Sequence, residues 1–186
     1  MLAQTRAWVE HAVIGLNLCP FAKAVQAKGL VRCVLCEATD TTALRDALVA
    51  ELTLLARTPA DQIETTLLVH PHVLQDFLDF NQFLGDADDA LAALDLDGEL
   101  QVASFHPDYQ FGGTAPDDIG NATNRAPYPT LHLLRESSID RAVAAMPDPD
   151  VIVEANIATL EALGADGWQA LQANWQPTAD GEPPAA

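Results

Sequence analysis

Positive charge is scarce in this chain: 9 lysines and arginines stand against 27 aspartates and glutamates, a formal net charge of −18. No basic stripe exists to displace the counterions of DNA or RNA, and a polyanion would be repelled, so nucleic acid is not an expected partner. Long apolar runs are also missing. None reaches the roughly 18 residues that a membrane-spanning helix needs, so no membrane partner is expected. The opening MLAQTRAWVEHAVIGLNLCPF is broken by Glu10, His11 and Asn17 and carries helical spacing. It reads as part of a mature cytoplasmic protein and not as a secretory signal. Cysteine is limited to Cys19, Cys33 and Cys36, too few and too odd in number for a disulfide framework. No internal repeat is visible, which excludes solenoids and propellers.

What is present suits an ordinary soluble domain, with 186 residues, 49% apolar and 19% charged. Residues 1–164 read as one α/β domain and 165–186 as a C-terminal extension whose last ten or so residues are loose. Trp8, Val9, Ala12, Val13 and Leu16 form the apolar stripe of a first helix ending near Leu18. Pro20 suits the start of a second short helix with Cys19 at its N-cap and Gly29 at its end. Strands are expected near 30–37, 65–70, 100–105 and 130–134. Between them lie a helix carrying Leu44, Leu48, Leu52 and Leu55, capped at Thr39-Asp40-Thr41, and a helical region from Val73 to about Leu94 with a break near Gly85. Ser137 can cap a short helix ending before Pro147. Asp148-Pro149 opens a last helix that Gly164 stops, and Trp168 and Trp175 dock the segment beyond it. The order implies a mixed, about four-stranded sheet packed by helices. A thioredoxin-like topology is a second option, because Tyr128-Pro129-Thr130 sits where that fold carries a cis-proline. Against it, Cys19 precedes the first strand instead of coming after it.

Cys33-x-x-Cys36 lies inside a strand, where residues three apart face opposite ways, so both read as packing residues and not as a redox or zinc half-motif. His70-Pro71-His72 at a strand end can bind metal, but with proline between them and a helix directly after, capping or exposure is the expectation. The aspartates from Asp86 to Asp97 lack calcium-loop spacing and read as a solvated face.

The informative stretch is SFHPDYQFGGTAPDDIGNATNRAPYPTLHLLRE, from Ser104 to Glu136. More than twenty of its residues carry no apolar period, a length that compact domains keep for lids and binding loops. Its aromatics Tyr109, Phe111 and Tyr128 imply that it is packed. Three motifs stand out: Leu18-Cys19-Pro20-Phe21, Phe105-His106-Pro107-x-Tyr109-x-Phe111, and Asn124-Arg125-x-Pro127-Tyr128-Pro129-x-x-His132-Leu133-Leu134-Arg135-Glu136. In these the chain resembles a bacterial family, domain of unknown function 1415, over roughly residues 5–163. The resemblance implies a single self-standing domain and brings no reaction or cofactor with it.

The residues themselves support three functional readings. In the first, an enzyme acts on a small anionic substrate: His106 is the general acid or base, Asp108 orients it, and Cys19 is a nucleophile if the fold brings it near. Asn124, Arg125, Tyr109, His132 and Arg135 then bind the substrate, the arginines by clamping a carboxylate or phosphate. The alternative use of Arg125 and Arg135 is to pair with Asp117, Asp118 or Glu136 and hold the loop. The second reading is a metal-dependent enzyme with His106, Asp108 and His132 as a two-histidine, one-carboxylate ligand set. The third is a non-catalytic binding or regulatory module whose proline-rich loop is the recognition surface. Convergence of Cys19, His106, Arg125 and His132 on one pocket is the test that separates them.

Overall fold

Four apolar runs pair into one open sheet in the computed structural model, which describes residues 1–144 and 150–175. The strands are β1 (Val31–Leu35), β2 (Thr65–Val69), β3 (Leu100–Phe105) and β4 (Thr130–Arg135), in the order β1-β2-β4-β3. β1 and β2 are parallel, while β4 runs antiparallel to both β2 and β3. This is the mixed four-stranded α/β sheet expected from the sequence. The thioredoxin-like option is corrected by the strand order, because that fold holds its first strand inside the sheet and β1 here is at an edge. Nor is any cis peptide bond found among the described residues, Tyr128–Pro129 included.

Each face of the sheet carries its own core, because alternate residues of a strand point to opposite sides. The first face takes Leu68, Leu131 and Leu133, packed under helix α3 (Thr41–Arg57) and helix α4 (Phe77–Ala93). From α3 come Leu44, Leu48, Leu52 and Leu55, all fully buried, and burying each such leucine is worth about 1.5–3 kcal/mol. Asp40 caps α3 by accepting from the Ala43 N–H at 2.8 Å, as its sequence position suggests. Arg32 of β1 forks onto Glu51 of α3 at 2.8 and 2.9 Å. The second face takes Leu67, Cys33 and Phe105, covered by the N-terminal helix and by the last helix, α6 (Asp150–Gln172). Cys33 and Cys36 thus fall in different cores, as packing residues three apart on a strand should.

Several boundaries differ from the sequence expectation for identifiable reasons. The first helix is α1 (Leu2–Trp8) continued by a π-helical segment, Val9–Ile14. It closes with Asn17 at φ 55° and the Leu18 N–H bonded to the Val13 carbonyl at 2.9 Å, a left-handed cap that ends the helix just before Leu18. Gly15 is required there, since a Cβ would lie 2.2 Å from the His11 carbonyl oxygen. Helix α2 spans only Ala22–Ala27, so Cys19 is three residues upstream and is not its N-cap. Helix α4 begins at Phe77 and not at Val73, because Asp76 caps it by accepting from Leu78 and Asp79; it then runs through Gly85 without a break. Helix α5 (Glu136–Ala144) starts directly from the end of β4. Gly164, at φ 68° and ψ 173°, interrupts α6 as expected, but helix resumes at once and buries Trp168. Pro147, the Asp148-Pro149 start and the tail from Gln176 lie outside the described residues.

Candidate functional site

The long connection between β3 and β4 is organised by its own polar groups. Asn121 is fully buried at its centre; its Oδ1 accepts from the Phe111 N–H at 3.0 Å and the Thr114 hydroxyl at 2.8 Å, and its Nδ2 donates to the Ala115 carbonyl at 2.9 Å. A 3₁₀ turn, Ile119–Asn124, packs on α6 and is capped by Asp118, which accepts from the Gly120 N–H at 2.8 Å. Arg125 donates from Nε to the Tyr109 carbonyl at 3.2 Å and from Nη2 to the Pro116 carbonyl at 2.6 Å. Asn124 donates to the Ser104 carbonyl at 3.2 Å, pinning the loop back onto β3. Tyr109 packs between Phe77, tilted at 57°, and Phe111, edge to face at 66°, with centroids 5.1 and 5.0 Å away. The loop is therefore tied down by hydrogen bonds and half-buries Tyr109 and Tyr128, as its aromatics implied, whereas Phe111 and most of residues 111–118 are exposed.

His106 sits at the base of this loop, fully buried, and both of its ring nitrogens are in use. Nδ1 accepts from the Asp108 N–H at 3.0 Å, which puts the proton on Nε2, and Nε2–H donates to the Leu74 carbonyl at 3.2 Å. Burial lowers its pKa, opposed by the bond to Leu74 and by the nearby carboxylates of Asp108 and Asp76. Asp108 serves His106 through its backbone; its carboxylate does not take the orienting position.

His132 is elsewhere. The register pairs Phe105 with Thr130 and Ala103 with His132, so His132 belongs to the second face while His106 continues the first. The His132 Nε2–H donates to the Thr65 hydroxyl at 2.7 Å, and that hydroxyl donates to the Leu133 carbonyl at 2.6 Å. Burial pushes the His132 pKa down to about 4. The ligand set His106, Asp108 and His132 is thereby corrected: the sheet itself separates the two imidazoles. Among the described residues no group of three or more histidine, cysteine or acidic side chains is placed to hold a metal ion.

The arginines also have unforeseen partners. Arg135 donates to the carbonyls of Leu55, Thr58 and Ile63 at 2.5–3.3 Å, closing the end of α3 against β2. Neither Arg125 nor Arg135 makes an ion pair with an acid among the described residues, so the expected pairing with Asp117, Asp118 or Glu136 does not occur. Cys19 lies in the bend before α2, half-buried, and does not line the cleft that Arg125 lines. Of Cys19, His106, Arg125 and His132, whose convergence was the discriminating test, only Arg125 lines that cleft.

One cleft does open on the loop. It encloses about 360 Å³ where Pro107 and the segment Arg125–Tyr128 face α1 and the end of α6. Gln4 enters from α1, its Oε1 accepting from the Tyr128 hydroxyl. Trp168, Gln172 and Trp175 close the far side. Those four residues were not legible as site residues; the available signal was two tryptophans close together in a chain that is only 6% aromatic. Of the two histidines in His70-Pro71-His72, His70 is fully buried and its Nδ1–H donates to the Val73 carbonyl at 3.2 Å, whereas His72 is exposed and pairs with Glu37 at 3.0 Å.

The chain belongs to the family described as protein of unknown function (DUF1415), which matches residues 1–170. That match takes in the whole β3–β4 connection and Trp168, and stops short of Gln172 and Trp175. No curated protein and no solved structure matches the chain.

Proposed function

We propose that this protein binds a small organic anion in the cleft between the β3–β4 loop, α1 and the end of α6, acting as a binding or regulatory module. One observation carries this reading. Although the chain holds 27 acidic residues, none of those among the described residues lines this cleft, and Arg125, which does line it, has no carboxylate partner among the described residues. Two backbone carbonyls fix the guanidinium through Nε and one Nη2 hydrogen, leaving Nη1 and the other Nη2 hydrogen for a ligand. A cation held by neutral carbonyls keeps its full charge for an incoming anion, and a guanidinium matches a carboxylate or phosphate with paired hydrogen bonds. The amides of Gln4 and Gln172 add neutral donors.

Binding is favoured over catalysis because the best acid–base candidate is committed elsewhere. His106 would have to release either the Asp108 N–H or the Leu74 carbonyl to move a proton, and it stands behind Pro107, outside the cleft lining. Calorimetric titration of the full chain with acetate, benzoate and inorganic phosphate tests the reading. Wild type should bind at least one of them. Gln172→Glu, which leaves the loop's ties to Arg125 intact, should weaken that binding at least about tenfold, since a new carboxylate would compete for the guanidinium. Equal binding by wild type and Gln172→Glu would remove the site from this cleft.

A further inference from the structure

We infer that the anion taken by this cleft is a monocarboxylate carried on a flat ring, an aromatic or heteroaromatic carboxylate. This rests on the cleft being the anion site. Among the described residues the charge it offers is a single guanidinium, that of Arg125, supplemented by uncharged amides. One cation matches one carboxylate. A phosphate dianion would keep an unmatched charge, and the field of a chain at −18 repels it about twice as strongly as a monoanion.

The rest of the wall sets the shape of the ligand. Pro107, Pro127, Tyr128, Trp168 and Trp175, five of the nine lining residues, bear rings. Trp168 and Trp175 are only 6% and 2% exposed and meet each other edge to face at 5.8 Å, so each presents only a small part of its surface to the cleft. Aromatic rings attract one another edge to face or offset-stacked, and the C–H groups of proline pack against the face of an aromatic ring. A planar ligand body can lie across such a wall; a puckered ring of the same volume touches it at fewer points. The cleft volume, about 360 Å³, falls in the range of pockets that hold small organic ligands.

The test is a calorimetric panel on the full chain: benzoate, cyclohexanecarboxylate, acetate, inorganic phosphate and benzyl alcohol. The expected order is benzoate first, cyclohexanecarboxylate roughly fivefold weaker in keeping with the usual aromatic increment, and acetate weaker still. Phosphate and benzyl alcohol should bind more weakly than either ring carboxylate. Trp175→Leu should reduce the preference for benzoate over cyclohexanecarboxylate. If all three carboxylates bind alike, and all are weakened in Gln172→Glu, the ring assignment is wrong and the anion site stands. Tighter binding of phosphate than of benzoate overturns the monocarboxylate assignment. If no anion in the panel binds, both this inference and the anion site fail.

Discussion

His70 and His106 grip consecutive carbonyls of the same turn. The imidazole of His70 donates to Val73 and that of His106 to Leu74, each at 3.2 Å, and both rings pack on Phe80, with centroids 5.7 and 5.1 Å away. Leu74 is held at φ 57°, a conformation that a branched side chain adopts only at a cost. The pair therefore anchors the turn between β2 and α4 to the base of the functional loop, with no charge on either ring.

Acid should loosen this arrangement. Burial holds His70 and His132 at about 4, against an ordinary value of 6.5, and holds His106 below it. An unfolded chain binds these protons at a higher pH than the folded one does. Stability is therefore full above about pH 6.5 and is lost as pH falls toward 4. For fully buried His70 the gap amounts to roughly 3 kcal/mol at most. Urea unfolding at a series of pH values should show the midpoint falling through that window. His70→Phe, which removes the orphaned Nε2 as well as the titration, should flatten the fall.

His106→Ala leaves the Asp108 N–H and the Leu74 carbonyl without partners and opens a hole beside Phe77 and Phe80. A loss of about 2–4 kcal/mol is expected in denaturant unfolding. His106→Asn keeps an acceptor near the Nδ1 position and should recover a measurable part of it. Equal losses from the two variants would contradict the role assigned to Nδ1.

Arg135→Met should cost about 2 kcal/mol, because three part-buried carbonyls, Leu55 and Thr58 at the end of α3 and Ile63 before β2, lose their donor. Anion binding in the cleft should be unchanged, since Arg135 is not part of it. A drop in anion affinity with unaltered stability would reverse both assignments.

The sheet was legible because its strands are short, mainly apolar runs separated by amphipathic helices, and Asp40 and Gly164 act where their chemistry suggests. The relation of His106 to His132 was not, because it depends on register: with Phe105 opposite Thr130, the two histidines fall on opposite faces, and a shift of one residue would have reversed that. The cleft was half legible. Arg125 and Tyr128 come from the stretch with no apolar period, but Gln4, Trp168 and Trp175 reach it from the two ends of the chain, and only the tertiary fold brings them there. Arg125 and Arg135 stood out as scarce cations. That their partners would be carbonyls and not acids is a matter of backbone position, to which composition gives no access.

The claim that a small organic anion occupies the Arg125 cleft is tested most directly by the indole N–H signals of the protein's three tryptophans in a ¹H–¹⁵N correlation spectrum. Trp168 and Trp175 line the cleft, while Trp8 is buried against Phe105 in the second core and serves as the internal control. On titration with acetate and then benzoate, the account predicts saturable movement of the Trp168 and Trp175 signals and of the Arg125 Nε–H, with Trp8 nearly still. No saturable movement at any of the three, or movement of Trp8 as large as that of Trp168, would contradict it.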